Sequence, residues 1–161
     1  MPIPLPLGPW VRSGRIEYRW FPLVDDFCDG ANEQIVRAFE DAAGAIHESL
    51  GQDKRVLVHC MGGISRSATA VIWYLIRYEG YTWEDAAALL RDRRSVTNPD
   101  ICFELALRLS REQLDEEWLT QRIEEYVADY RRRGRSDRGR NLDAEFVRSA
   151  LVRQGTLQSP N

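Results

Sequence analysis

The spacing of hydrophobic and polar positions changes several times along the chain, and each spacing predicts a different element. Most residues from 16 to 24 are aromatic or β-branched, which predicts a strand, and Pro22 indicates the end or edge of that strand. Residues 55–59 form a short apolar run that predicts a second, buried strand. Between the two strands, residues 32–50 carry apolar side chains at the spacing of one buried helix face: Ile35, Phe39, Ala42, Ala43 and Ile46.

The second half of the chain has patterns typical of helices. A helix is predicted at residues 67–78, and capping signals begin two others at Thr82 and Ser110. The helix from Thr82 runs to about Arg91, and Pro99 begins one more. The helix after Ser110 has an apolar stripe: Leu119, Ile123, Tyr126, Val127 and Tyr130.

These elements predict one domain of the α/β class, in which a small, reduced central sheet is flanked by helices. The strand, loop and helix of residues 55–78 form its central unit. Residues 1–14 are predicted to form a proline-rich arm without regular structure, because each proline fixes φ and removes a backbone donor. The domain covers residues 15–130. Residues 131–161 are predicted to be an arginine-rich linker followed by a weakly helical tail.

Composition and charge narrow the classes of function. The chain has 161 residues, a formal net charge of −3 and a pI of about 5.5, so its charge does not favour nucleic acid or an anionic membrane as a partner. Three cysteines without the paired spacing of a disulfide framework or a zinc site predict a reducing compartment. No signal peptide or membrane-spanning run is recognisable, and we therefore expect a cytoplasmic protein.

A cysteine followed six residues later by an arginine occurs twice, and only one of the two pairs predicts chemistry. Cys102 and Arg108 are separated by residues typical of a helix, where six positions turn through about 600° and place the two side chains on different faces. Cys60, in contrast, follows a predicted strand and precedes a loop with two glycines and then a helix. The surroundings of Cys60, rather than its spacing to Arg66, therefore predict a functional site.

The loop after Cys60 has the features of a phosphate-binding site. Its glycines let the backbone approach an anion closely, and inward-turned amides can surround that anion. The next helix adds its N-terminal N–H groups and the positive end of its dipole. Arg66 provides a guanidinium that can bind two phosphate oxygens at once. The predicted phosphate-binding residues are Met61, Gly62, Gly63, Ile64, Ser65 and Arg66.

The same positive surroundings predict a reactive thiol at Cys60. A cysteine near a helix N-terminus or a cation has its pKa lowered from about 8.5 to between roughly 3.5 and 7.5, which predicts a thiolate at pH 7. The thiolate can attack phosphorus and form a phosphocysteine. Ser67 is placed to donate a hydrogen bond to the sulfur, and His59 to orient the loop through hydrogen bonds.

Residues 59–67 resemble the signature of the dual specificity protein phosphatases, His-Cys-x-x-Gly-x-Ser-Arg-Ser, at every fixed position. The similarity extends over roughly residues 16–110 and includes residues 68–75 and 86–94. The resemblance implies a protein-phosphatase-like fold and a phosphocysteine mechanism without a metal or other cofactor. It also implies that an aspartate on an upstream loop acts as general acid.

Three aspartates are candidates for that general acid. In the family the acid follows an apolar strand, which favours Asp25. Counting back from Phe39 by the family's usual interval favours Asp29 instead, and Asp26 is the third candidate. Family domains carry a strand, a helix and a strand before the acid, whereas only 24 residues precede Asp25 here. We therefore expect that part of the sheet is missing, that a homodimer completes it, or that the true start of the chain has been lost.

Neutral residues at two loop positions, Met61 and Ile64, favour phosphotyrosine, phosphoserine and phosphothreonine in proteins as substrates. Lipid and RNA-end phosphatases of this superfamily often carry basic or otherwise distinctive residues there. A phosphorylated carbohydrate, lipid or small metabolite is an alternative substrate. A phosphate-binding module with impaired catalysis is an alternative function. The expected partner is thus a phosphoprotein or another phosphomonoester.

Overall fold

The computed structural model describes residues 8–23, 32–132 and 142–158, and helices form most of these ranges. The helices are α1 (Gly8–Arg12), α2 (Asn32–Gly51), α3 (Arg66–Tyr78), α4 (Trp83–Arg93), α5 (Ile101–Leu109), α6 (Glu116–Arg132) and α7 (Ala144–Gln154). None of the helices in these ranges is both long enough and apolar enough to cross a membrane.

The first hydrophobic core lies between α2, α3, α4 and one face of α5. All five apolar residues predicted for the inner face of α2 are buried, as their helical spacing indicated. Phe39 of α2 contacts Phe103 of α5 edge to face, with ring centroids 5.2 Å apart. α3 contributes Ile72 and Trp73, which are fully buried. This packing fixes the position of α3, whose first turn begins shortly after Cys60.

The second hydrophobic core lies on the other face of α5, against α6 and α7. α5 is buried continuously from Ile101 to Leu107, so both of its faces are covered. Its one buried charge, Glu104, is paired with Arg122 of α6 through hydrogen bonds of 3.0 and 2.6 Å. The paired geometry satisfies both carboxylate oxygens, as a buried charge requires. α5 therefore packs in both hydrophobic cores.

The predicted central sheet is wrong for the described residues, because none of them forms a strand. Residues 17–23 and 55–60 are extended, but no backbone hydrogen bond joins the two segments within the described ranges. Their apolar residues Phe21, Leu23 and Val58 pack against the first core instead. The aromatic and β-branched pattern therefore reflected the partial burial of a few side chains against the helices, which does not require a neighbouring strand, and Val56 and Leu57 are exposed. The described fold consists of helices joined by extended connections.

The helix caps were predicted with mixed success. The cap at Thr82 is confirmed, since its hydroxyl accepts a hydrogen bond from the amide of Asp85 at 3.1 Å. The cap at Ser110 is wrong, because that hydroxyl donates to the carbonyl of Leu107 at 2.6 Å, at the end of α5. α6 begins after Asp115, whose carboxylate accepts a hydrogen bond from a first-turn amide at 2.7 Å.

The first and last described helices lie in the segments predicted as arm and tail. α1 falls within residues 1–14, where prolines were predicted to prevent regular structure. Pro9 lies in its first turn, where the missing N–H has no helical partner to lose. The weak helix predicted in the tail is α7, which ends at Gly155 with φ +83°. Most of the predicted arginine-rich linker, at residues 133–141, lies outside the described residues.

Leu105→Ala is expected to lower the free energy of unfolding by about 2–5 kcal/mol, because it removes a fully buried side chain and leaves a cavity. Leu105 has no exposed surface and packs in the second core. Leu57→Ala is the matched control, since Leu57 is 82% exposed and its loss should change stability by no more than about 0.5 kcal/mol. Urea unfolding followed by circular dichroism measures both variants. Equal destabilisation would contradict the burial of α5.

Candidate active site

Cys60 ends an extended segment and precedes the loop of residues 61–65, after which α3 begins. Val58 anchors the segment in the first core, and the buried face of α3 anchors the far end of the loop. The first helical hydrogen bond of α3 runs from the amide of Thr69 to the carbonyl of Ser65 at 2.8 Å. The amides before Thr69 are not used by the helix and are available to the loop.

Hydrogen-bond donors surround the sulfur of Cys60. Its Sγ lies 3.2 Å from the hydroxyl oxygen of Ser67 and 3.2 Å from the amide nitrogen of Gly63. The backbone amides of Ser67 and Ile64 also help to lower the pKa of this thiol. A thiolate has no proton to give, so the Ser67 hydroxyl is the donor whenever Cys60 is ionised. α3 holds Ser67 in this position, where the side chain is buried.

These donors change the acidity of the Cys60 thiol. Burial raises its pKa, but the hydrogen bonds from Ser67 and from the amides of Gly63 and Ile64 outweigh burial and lower the pKa from 9.0 to about 7. The thiol is free and half-buried, which leaves it accessible to a substrate. A thiol with this pKa is partly ionised at neutral pH before any phosphate is bound.

Arg94, the residue that follows α4, holds two carbonyl groups of the loop. Its Nε donates to the carbonyl of Gly63 at 3.2 Å, and its Nη2 donates to the carbonyl of Gly62 at 3.3 Å. Gly63 has φ +63°, and a Cβ on it would lie 3.3 Å from Nη2 of Arg94. A glycine is therefore favoured there both by the left-handed backbone and by the close approach of the guanidinium.

The segment between α4 and α5, residues 94–100, makes further contacts with the loop, and we call it the bracing segment. The amide of Asn98 donates to the carbonyl of Ile64 at 2.9 Å. The amide of Asp100 donates to the hydroxyl oxygen of Ser65 at 3.0 Å. Sequence reasoning missed these contacts, because backbone amides carry no residue-type signal. It also missed the role of Arg94, whose only signal was a basic run at the end of a predicted helix.

The other predicted residues of the loop differ in exposure. Met61 is 91% exposed, whereas Ile64 and Arg66 are half-buried. His59 is exposed, and its Nδ1 lies 3.4 Å from the carbonyl oxygen of Cys60. The orienting role of His59 stays a prediction.

The candidates for the general acid, Asp25, Asp26 and Asp29, lie outside the described residues, so their roles stay predictions. In the ranges that the structure describes, no group of three or more histidine, cysteine, aspartate and glutamate side chains is arranged to hold a metal ion. The described part of the site consists of the thiol, its hydrogen-bond donors and Arg94, and the phosphate-binding role of Arg66 stays a prediction.

The second cysteine and arginine pair lies on α5, as its sequence predicted. Cys102 is buried in the second core. Arg108 forms salt bridges with Glu84 at 2.6 Å and Glu112 at 2.7 Å, and its guanidinium lies 4.4 Å from the ring centroid of Trp118. These contacts give Arg108 a role in packing α4 and α5 together with the segment that follows.

Comparisons with known proteins match the chain to one family. The model of the dual specificity phosphatase catalytic domain matches residues 8–113. The mouse protein named dual specificity protein phosphatase 22 is 33% identical over 146 residues, which cover 89% of this chain and 70% of that protein. The fission yeast tyrosine-protein phosphatase yvh1 is 34% identical over 108 residues, covering 62% of this chain and 33% of that protein.

The matched share of the relatives varies widely. The human protein named dual specificity protein phosphatase 22 is 36% identical over 80 residues, which cover 50% of this chain and 44% of that protein. The chain therefore spans less than half the length of some relatives. No solved structure matches the chain.

Ser67→Ala is expected to raise the pKa of the Cys60 thiol above about 7, because it removes the side-chain donor to the sulfur. Alkylation of Cys60 by iodoacetamide at pH 7 should slow by roughly threefold to tenfold, the scale of a hydrogen bond to a charged group partly screened by solvent. Mass spectrometry of the peptide that contains Cys60 measures the rate. Ser13→Ala is the control, since its hydroxyl donates to the carbonyl of Trp10. An unchanged rate in Ser67→Ala would contradict the assigned hydrogen bond.

Proposed function

The chain belongs to the dual specificity phosphatase family, and we propose that it hydrolyses phosphotyrosine, phosphoserine and phosphothreonine in proteins through a phosphocysteine on Cys60. One observation carries this proposal: the hydroxyl of Ser67 and the amide of Gly63 both lie 3.2 Å from the Cys60 sulfur. Neutral donors that converge on one point stabilise an anion there without the cost of burying a compensating charge.

In the first step, the Cys60 thiolate attacks the phosphorus of the substrate. The S–P bond forms while the P–O bond to the alcohol or phenol breaks, and the electron pair of that bond leaves on oxygen. The leaving oxygen takes a proton from an aspartic acid. The guanidinium of Arg66 and the loop amides stabilise the charge on the equatorial oxygens of the transferring group.

In the second step, water attacks the phosphorus of the phosphocysteine and the S–P bond breaks. The electron pair returns to Cys60, and the product is inorganic phosphate. The Ser67 hydroxyl, 3.2 Å from the sulfur, donates to the thiolate as it leaves and makes sulfur a better leaving group. The aspartate that gave its proton in the first step takes one from water in the second.

The proposed substrate class follows from the walls of the site and from the relatives. Met61 is neutral and 91% exposed, and Ile64 is neutral and half-buried. These side chains add no positive charge for a multiply phosphorylated lipid or an RNA end. The mouse relative is named a dual specificity protein phosphatase, and the fission yeast relative a tyrosine-protein phosphatase. Both names favour phosphoproteins as the substrates of this chain.

Asp25 is our candidate for the general acid, and Asp29 and Asp26 are the alternatives. The apolar residues just before it support Asp25, since Phe21 and Leu23 pack against the first core and Asp25 is the first of the three aspartates after them in the sequence. A carboxyl that must donate a proton at neutral pH has to be aimed at the leaving oxygen.

Cys60→Ser is expected to lower turnover of para-nitrophenyl phosphate by roughly a thousandfold or more, because the nucleophile is lost. Steady-state kinetics of the wild type and the variant measure the effect. Binding of tungstate, followed by calorimetry, is the control, since the loop amides and Arg66 are intact in the variant. Wild-type protein that binds tungstate but has no turnover on any phosphomonoester would contradict the enzymatic proposal and favour a phosphate-binding module.

Asp25→Asn is expected to remove the fall of the rate at high pH, because that fall reports loss of the proton from the general acid. The pH dependence of kcat/KM for a phosphotyrosine peptide measures it. Asp29→Asn is the matched control and should keep the wild-type profile. The reverse result, with the basic limb lost only in Asp29→Asn, would reassign the acid to Asp29.

A further inference from the structure

The peptide groups of the loop have an inner and an outer side. In a trans peptide the carbonyl and the N–H of one planar group point in opposite directions. The carbonyl of Gly62 shares its peptide group with the amide of Gly63, and the carbonyl of Gly63 shares its group with the amide of Ile64. Whatever holds these two carbonyls therefore also sets the direction of these two amides.

Arg94 holds both carbonyls, at 3.2 and 3.3 Å. The amide of the first peptide group, that of Gly63, donates to the Cys60 sulfur at 3.2 Å, and the amide of the second, that of Ile64, contributes to lowering the pKa of the thiol. We propose that Arg94 is a positioning residue, which turns the N–H groups of Gly63 and Ile64 toward the sulfur by holding the opposite ends of their peptide groups. This inference rests on the proposed function, since the same amides would face the phosphate during the reaction.

The shape of the arginine side chain suits this role better than its charge alone. A guanidinium presents several N–H donors in one rigid plane, so Nε and Nη2 can reach two successive carbonyls together. A lysine in the same place would offer a point charge on a flexible stem and could not fix both peptide groups in this way. Hydrogen bonding on the carbonyl side also polarises a peptide group and strengthens its N–H as a donor.

Substitution of a neighbouring arginine can distinguish the effect of the charge of Arg94 from the effect of its contact with the loop. Arg91 and Arg93 lie in the last turn of α4 and are exposed. Neither forms a salt bridge or a side-chain hydrogen bond within the described part of the chain, and of these three arginines only Arg94 contacts the loop carbonyls. Arg93 thus offers a matched control, with the same side chain one position away.

Gly63 supports the assignment independently. Its φ of +63° brings its carbonyl and that of Gly62 within reach of one guanidinium. The missing side chain leaves the space that the guanidinium occupies, since a Cβ on Gly63 would lie 3.3 Å from Nη2. The bracing segment continues the pattern at the next peptide group, where the amide of Asn98 holds the carbonyl of Ile64.

The test is the pH dependence of Cys60 alkylation by iodoacetamide in the full chain, with Arg94→Met, Arg94→Lys and Arg93→Met compared with the wild type. Positioning predicts that both Arg94 variants shift the midpoint upward from about pH 7. Their alkylation at pH 6 should slow by about tenfold for a rise of one in the thiol pKa. Arg93→Met should keep the wild-type midpoint. Mass spectrometry of the peptide that contains Cys60 gives the rates without relying on turnover.

Two outcomes would overturn the inference. In the first, Arg94→Lys keeps the wild-type midpoint while Arg93→Met raises the midpoint as much as Arg94→Met does. The pKa of the thiol would then depend on positive charge near the site and not on the contact of Arg94 with the loop. If all variants keep the wild-type midpoint, Arg94 does not position the amides, and any loss of turnover comes from contact with substrate. Because no substrate is present during alkylation, a shifted midpoint supports the role of Arg94 even if the protein fails to hydrolyse phosphomonoesters. An unshifted midpoint in an active enzyme removes only the inference about Arg94.

Discussion

The Cys60 loop depends on the fixed position of the first turn of α3. Four consecutive residues there, 67–70, are buried in the protein, and the helix begins with a hydrogen bond from Thr69 to the carbonyl of Ser65. A closely packed interior resists even small displacements. The start of this helix therefore cannot slide or rotate without opening the core. Because the loop ends at this helix, the packing of the helix also restricts movement of the loop.

The loop has an inner surface that faces the Cys60 sulfur and an outer surface that faces the bracing segment. On its inner surface, amides and one hydroxyl donate to the sulfur; on its outer surface, the bracing segment satisfies the carbonyls that those amides leave behind. Each peptide group thus has a hydrogen-bond partner on its carbonyl side that does not touch the sulfur, and these partners limit the directions in which its amide can point.

Sequence patterns predicted most of the helices well and the sheet and the outer contacts of the loop poorly. The periodic burial of α2 and the cap at Thr82 could be predicted because side-chain type and spacing encode them. The sheet could not, because an apolar extended segment looks the same whether it packs on helices or pairs with a strand. The amide of Asn98 and the carbonyl of Gly62 belong to the backbone, which every residue type shares, so their partners depend on the tertiary fold alone.

The double burial of α5 links the two ends of the protein energetically. Phe103 packs in the first core with α2, while Leu105 packs in the second core with the C-terminal helices. Opening either core would expose one side of the same short helix to solvent. The packing of each core therefore also stabilises the other. Helices that lie on the far side of α5 from α2 thereby contribute to the stiffness of the Cys60 loop without contacting it.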